Sequence, residues 1–305
     1  MSILKKVVVT GGAGFIGSNL ARALVEKGCE VQVVDNFVAG HFDERVVPGA
    51  VYNNIDINNT AELIPVFQGV DAVFHLAALP KVQDSIEHPI ETSNTNVDGT
   101  LSVLEAARAA GVQKVVFSSS AAVYGDQETM PVSEAMSAHP LNPYGLHKYI
   151  GENTCVLWSE LYSLPTVSLR YFNVYGPGFD PNGAYASVVG RFIDLRQNGK
   201  PLTIVGDGTN TRDYVHVDDV VRANILAAES DGVGKGEVIN IGSGQETSVT
   251  QLAAMIGGPV ESVESRQETS RSVSDISRAR ALLGFEPTVE IEIGIENLKK
   301  LHGIS

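Results

Sequence analysis

Through the first half of the chain, short β-branched runs alternate with longer stretches whose apolar residues recur every three or four positions. The runs lie at Lys6 to Thr10, Glu30 to Val34, Val51 to Ile55, Ala72 to His75, Lys114 to Phe117 and Thr166 to Leu169. Between them, Phe15 to Lys27 and Thr100 to Ala110 carry the helical period. Val7-Val8-Val9, Val31 to Val34 and Val115-Val116-Phe117 are continuous apolar runs, as expected of strands covered on both faces. The pattern predicts an α/β fold, a βαβ series around a doubly wound parallel sheet. After Arg170 the rhythm loosens around Gly176-Pro177-Gly178 and Pro181-Asn182-Gly183. Residues 1–170 are therefore expected to form one domain and 171–305 a smaller mixed region. Asp218 to Glu229 and Val238 to Ile241 again read as a helix and a strand, so parts of about 215–245 are expected to return to the first domain. Glu261 to Ser274, rich in Ser, Glu and Arg, reads as a solvated linker.

A chain of 305 residues has room for a core of ordinary size. Its 22 Lys and Arg against 36 Asp and Glu give a net charge of −14, which argues against a nucleic-acid or anionic-membrane surface. Any anionic ligand must then be met by a few placed cations or by helix N-termini. Cys29 and Cys155 fall in no metal-binding spacing and read as reduced, packed thiols. The first residues run too soon into charge for a signal peptide, and no apolar run approaches the roughly 18 residues of a membrane span. A cytoplasmic protein is expected.

Thr10-Gly11-Gly12-Ala13-Gly14-Phe15-Ile16-Gly17 joins the first strand to the first helix. Gly11, Gly14 and Gly17 let the backbone turn tightly, approach a pyrophosphate and pack the helix on the sheet, with the helix N-terminus facing the anion. This is the Rossmann-like arrangement. Asp35 ends the next apolar strand 18 residues after Gly17, where a carboxylate accepts a hydrogen bond from the adenosine ribose. It would repel a ribose 2′-phosphate, and no arginine stands beside it in the sequence, so NAD is expected over NADP. Asp56-Ile57, after the third run, is a candidate adenine contact or a plain turn.

Tyr144 and Lys148 are spaced one helical turn apart, on one face of a segment continuing to Tyr162. A nearby ammonium favours the phenolate and is expected to pull the tyrosine toward working pH as a general base. Ser118-Ser119-Ser120 follows the strand ending at Phe117, at the strand C-terminus where ligands sit in parallel sheets. A hydroxyl there could bond both a substrate oxygen and the phenol. His75, His139, His147 and His216 read as structural.

These segments, with H-L-A-A at His75 to Ala78, N-x-x-G-T at Asn96 to Thr100, S-S-S-A-A-V-Y-G at Ser118 to Gly125, P-Y-G-x-x-K at Pro143 to Lys148, L-R-Y-F-N-V-Y-G-P at Leu169 to Pro177 and the R-D-Y-V-H-V-D-D run from Arg212, resemble the extended short-chain dehydrogenase/reductase family. Within it they are most similar to the nucleotide-sugar 4-epimerases. The resemblance implies NAD-dependent inversion of C4 of a UDP-hexose through a 4-keto sugar, and a homodimer formed through the helices around Thr100 to Ala110 and Tyr144 to Tyr162. It implies Tyr144 as base, Lys148 on the nicotinamide ribose and Ser120 at the sugar 4-hydroxyl. The cofactor would touch Gly11, Gly14, Phe15, Ile16, Gly17, Asp35, Asn36, Asp56, Ile57, Leu76, Ala77, Ala78, Ser118 and Tyr171. Asn173, Arg212 and Arg271 would hold the diphosphate. Arg271 is preferred to Arg266, and Glu268 is a candidate ribose contact. Ser272 would lie beside the sugar's C2 substituent, leaving room for an N-acetyl group. Dehydratases and decarboxylases of this family place acids after the strand-end hydroxyl, where this chain has Ala121-Ala122. A UDP-glucuronate 4-epimerase and a non-catalytic NAD-binding regulator are the other readings.

Overall fold

A computed structural model describes residues 4–38, 45–179, 188–264 and 271–304. Its strands, in chain order, are β1 (Lys6–Thr10), β2 (Glu30–Asp35), β3 (Ala50–Asn54), β4 (Ala72–His75), β5 (Lys114–Ser120), β6 (Thr166–Tyr171), β7 (Asn173–Tyr175), β8 (Leu202–Val205), β9 (Thr211–Arg212), β10 (Tyr214–His216), β11 (Lys235–Ile241), β12 (Thr247–Ser248) and β13 (Val260–Val263). Seven of them form one parallel sheet in the order β11-β6-β5-β4-β1-β2-β3. The chain winds outward from β1 through β2 and β3, then returns to pair β4 on the other side of β1. That reversal opens a crevice at the carboxyl ends of β1 and β4, the place where ligands bind in such sheets. The fold is α/β and Rossmann-like.

The apolar runs are strands because both sheet faces are covered. Helices Phe15–Glu26 and Val217–Glu229 bury Leu20, Leu24, Val220 and Ala227 against Val7, Val9 and Val31. On the opposite face, Thr60–Phe67, Gly99–Ala110 and Pro143–Tyr162 bury Leu63, Phe67, Val103, Leu104 and Cys155 against Val8, Val73 and Val115. β11 adds itself to the sheet edge beyond β6, and Ala279 and Leu283 of helix Ser277–Leu283 join the first of these cores. A separate apolar cluster ties helices Val188–Gln197, Val249–Ile256 and Ile291–Leu301 to β8 through Phe192, Leu202, Leu252 and Leu298.

Two expectations are corrected. The serines do not follow the fifth strand as a turn: β5 continues through them, with Ser118, Ser119 and Ser120 opposite Leu169, Arg170 and Tyr171 of β6. Two of the polar side chains buried here share one carboxylate, Glu152. The Ser119 hydroxyl donates to Glu152 Oε1 at 2.5 Å, and Arg170 grips both oxygens of Glu152 at 2.8 and 2.7 Å. The segment from Glu261 is not wholly a solvated linker either. Val260–Val263 pairs in parallel with β8, and Val273 and Ser274 are buried.

Candidate functional site

The glycine turn is built as a cradle. Gly11 has φ +71°, and a Cβ there would lie 2.7 Å from the Ala77 amide nitrogen, so only glycine lets the turn after β1 rest against the turn after β4. A Cβ at Gly17 would overlap the carbonyl of Gly11, which is why the first helix turn can close on the loop. The cleft beside this turn is lined by Gly11, Gly14, Phe15, Ile16 and Gly17, by Asp35 and Asn36 after β2, by Asp56 and Ile57 after β3, by Leu76, Ala77 and Ala78 after β4, and by Ser118. Glycines at a helix N-terminus facing an elongated cleft fit a dinucleotide pyrophosphate. Val38, Ile55, Leu79, Pro80, Glu91 and Thr95 complete the lining and were not expected from the sequence.

Asp35 accepts hydrogen bonds from the Ala13 and Phe37 amides at 3.0 and 2.8 Å, and burial raises its pKa against the pull of those amides. Contrary to expectation, an arginine does stand near: Arg45 lines the same cleft and donates to the Ala13 carbonyl at 3.4 Å. It stands ten residues beyond Asp35 in the chain, so adjacency in sequence does not reveal it. Calorimetry on cofactor-stripped protein should still show NAD binding at least about tenfold tighter than NADP, because a phosphate pressed on a half-desolvated carboxylate is strongly disfavoured. Asp35→Asn should narrow the gap. Equal affinities in the unsubstituted protein would mean that Asp35 does not face the ribose.

The turn after β4 is held by residues that motif spacing alone did not assign. The Thr100 hydroxyl donates to the Asn96 carbonyl at 2.7 Å, so it accepts from His75 Nε2–H at 3.0 Å. His75 Nδ1 then accepts from Thr10 Oγ1 at 2.8 Å, and that oxygen in turn accepts the Ala77 amide at 3.3 Å. Asn96, in the π-helical turn Asn94–Asp98, clasps both the amide and the carbonyl of Leu79, at 2.7 and 2.9 Å. Burial, with the Lys148 charge nearby, pushes His75 down to about 3, so the ring is a neutral structural linker.

A second cleft, about 490 Å³, shares Ile16, Pro80 and Ser118 with the first and opens on Ser120, Tyr144, Tyr171, Asn173, Arg212 and Ser272. Helix Pro143–Tyr162 starts at Asn142, whose side chain accepts the Gly145 amide at 2.9 Å, and this cap sets Tyr144 at the first turn. Ser120 accepts the Ala122 amide at 3.1 Å, and its hydroxyl lies near enough to the Tyr144 phenol to pull the phenol's pKa down against burial. Lys148 is buried one turn on, donating to the Ser118 carbonyl at 2.7 Å, with Nζ 5.9 Å from the Tyr144 ring centre.

The expected depression of the tyrosine pKa is not present in the protein alone. Burial pushes Tyr144 up to about 12, opposed only by the Ser120 hydroxyl. Burial also pulls Lys148 down to about 8, with Glu152 opposing. One of the ammonium's three N–H groups goes to the Ser118 carbonyl, and no hydrogen bond from it to the phenol is formed.

Tyr171 is buried, with its hydroxyl donating to Asn224 at 2.8 Å, and the Asn173 side chain donates to the Asp213 carbonyl at 3.0 Å. Arg212 borders the cleft and donates to the Thr211 carbonyl at 2.9 Å. Arg271 is not among the lining residues: it is exposed and forms an ion pair with Glu246. Arg266 and Glu268 lie outside the described residues.

A UDP-glucose 4-epimerase of Mycolicibacterium smegmatis is 37% identical over 308 residues, covering 95% of this chain and 96% of that protein. A Thermotoga maritima UDP-glucose 4-epimerase, solved with UDP-glucose, is 38% identical and superposes with a TM-score of 0.91 over 98% of this chain and 99% of that one. A Methanobrevibacter ruminantium UDP-N-acetylglucosamine 4-epimerase, solved with UDP-N-acetylmuramic acid, is 34% identical with a TM-score of 0.92 over 98% of both chains. With residues 7–242 matching the family as a whole, the chain belongs to the NAD dependent epimerase/dehydratase family.

Proposed function

We propose that this chain is an isomerase that inverts C4 of a UDP-hexose: UDP-glucose and UDP-galactose, and the N-acetylhexosamine pair as well. The observation that carries the reading is the wall of the second cleft. Ser120 and Tyr144 open on it beside the cofactor cradle, and none of its described lining residues is Asp or Glu. Proton transfer at the sugar therefore falls to the tyrosine. Ala121 and Ala122 stand where an elimination would need an acid or base, which disfavours the dehydratase and decarboxylase readings. Retention of tyrosine and lysine side by side disfavours a non-catalytic regulator.

In this mechanism Tyr144 accepts the proton of the 4-hydroxyl, which Ser120 orients, and Lys148 supports the nicotinamide ribose. When bound, NAD would supply the reversible hydride chemistry at C4, and its oxidised form would add a positive charge that favours the phenolate. Asn173 and Arg212 hold the diphosphate while the sugar turns to present its other face. Tyr144 then returns the proton. Remote binding of the nucleotide thus serves the chemistry at the sugar.

Incubation with UDP-glucose, UDP-N-acetylglucosamine and UDP-glucuronate, each alone, should give the 4-epimers of the first two. Turnover of UDP-glucuronate only would favour the uronate enzyme instead, and no epimer from any of the three would overturn the proposal.

The catalytic helix also supports a homodimer. Leu146, Tyr149, Ile150, Leu157 and Leu161 leave an apolar stripe on its outer face, and Ile90 nearby is 85% exposed. Residues 82–93 flank this stripe, and helix Gly99–Ala110, the other expected interface helix, buries most of its residues within the chain and exposes Arg108 and Ala109. Among the described residues no helix is long and apolar enough to cross a membrane.

A further inference from the structure

We infer that Asp213 is a positioning residue for the substrate: its carboxylate fixes the wall of the second cleft that receives the nucleotide diphosphate. The inference rests on the function proposed above and extends it to a residue that touches no ligand. Asp213 is fully buried, and among the described residues no lysine or arginine pairs with it. Its charge is instead met by five donors from two distant segments. Oδ1 accepts from the Ser243 amide and hydroxyl, each at 2.7 Å. Oδ2 accepts from the Gly244 amide at 3.1 Å, the Ser274 amide at 3.0 Å and the Ser274 hydroxyl at 2.5 Å. A third segment hangs from the backbone, because the Asp213 carbonyl accepts both the amide and the side chain of Asn173 at 3.0 Å.

The three segments so joined carry the cleft's polar wall. Arg212 immediately precedes Asp213, Asn173 is bonded to it, and Ser272 lies two residues before Ser274, with its own amide donating to the Thr211 carbonyl at 3.2 Å. Gly242 shows how tightly the knot is drawn, since a Cβ there would lie 2.5 Å from Oδ2. A carboxylate is the side chain that suits this place. Asparagine has the same shape, but its NH₂ would face at least one backbone N–H on either side, and a backbone donor cannot turn away. The segments would separate locally and the wall would lose its register, while the cofactor cradle after β1, β2 and β4 has no bond to the knot.

The test compares Asp213→Asn and Ser274→Ala with Asp219→Asn in the NAD-loaded protein. Asp219 is an equally buried carboxylate, paired with Arg222 at 2.7 Å and accepting from the Thr288 amide and hydroxyl and from the Val289 amide, and it anchors the C-terminal segment away from the cleft. All three variants should lower the melting temperature. Asp213→Asn should raise KM for the UDP-sugar about tenfold or more and weaken binding of UDP alone by a similar factor, with bound NAD unchanged and kcat within about threefold. Ser274→Ala should move KM and UDP binding the same way by a smaller factor. Asp219→Asn should leave both as they were. An Asp213→Asn protein with unchanged KM, or an Asp219→Asn protein with the same rise, would overturn the inference. If Asp213→Asn does not fold, Ser274→Ala decides alone, and unchanged UDP binding in it counts against the knot. Wild-type protein that binds no UDP would instead overturn the reading of the cleft, and the inference with it.

Discussion

Replacing Tyr144 with phenylalanine should lower the epimerisation rate by at least about a hundredfold, the lower bound for loss of a positioned acid or base. Bound NAD should be unchanged, because the ring that packs at the start of the catalytic helix is kept and only the hydroxyl is lost. The size of the effect follows from what else is available. The Ser120 hydroxyl is an alcohol, too weak a base to take over and already accepting the Ala122 amide, and the described lining of the second cleft offers no carboxylate. Lys148, pulled down to about 8 and donating to the Ser118 carbonyl, is not among the residues that line the second cleft. Initial rates with UDP-glucose and the absorbance of bound cofactor measure both quantities. A variant keeping more than about a hundredth of the wild-type rate would assign the proton transfer elsewhere.

The same tyrosine shows what a sequence can and cannot carry. Its spacing from Lys148 places both on one helix face, and the structure brings them together with Ser120 because β5 ends beside the first turn of that helix. The electrostatic consequence is not in the spacing. A lysine one turn away lowers a phenol only when its charge is aimed there, and here burial dominates both groups. The glycine turn and Asp35 are legible for a local reason, since strand, turn, helix and next strand are consecutive in the chain. The clasp of Thr10, His75, Asn96 and Thr100 joins three separated stretches, and Arg45 stands ten residues from the Asp35 whose cleft it lines. Neither leaves a periodicity or a spacing to read. Helix Ser277–Leu283 packs on the first core through Ala279 and Leu283, a return that seven residues are too few to announce. Arg271 shows the reverse case, for an arginine near the right place in sequence is paired with Glu246 and faces solvent.

Ser272→Tyr should remove turnover of UDP-N-acetylglucosamine while sparing UDP-glucose. Ser272 lines the second cleft together with Tyr144, Asn173 and Arg212, and its amide is tied to the Thr211 carbonyl, so its side chain has a fixed station on that wall. A serine there takes little of the cleft. A tyrosine would add an aromatic ring to a site of about 490 Å³ that must also hold a hexose, and the N-acetyl group is the part of the larger sugar with nowhere else to go. Steric exclusion of this kind is asymmetric: the larger substrate needs the backbone to move, whereas the smaller one keeps its contacts. The effect should therefore appear as loss of kcat/KM for the N-acetylated sugar by about a hundredfold or more, with the value for UDP-glucose within about threefold. Measuring the two substrates on one preparation separates exclusion from damage, because a misfolded variant would lose both. If both activities survive, Ser272 lies away from the C2 substituent. If the wild-type protein epimerises UDP-glucose but never the N-acetylated sugar, the serine is not what sets the breadth of the site.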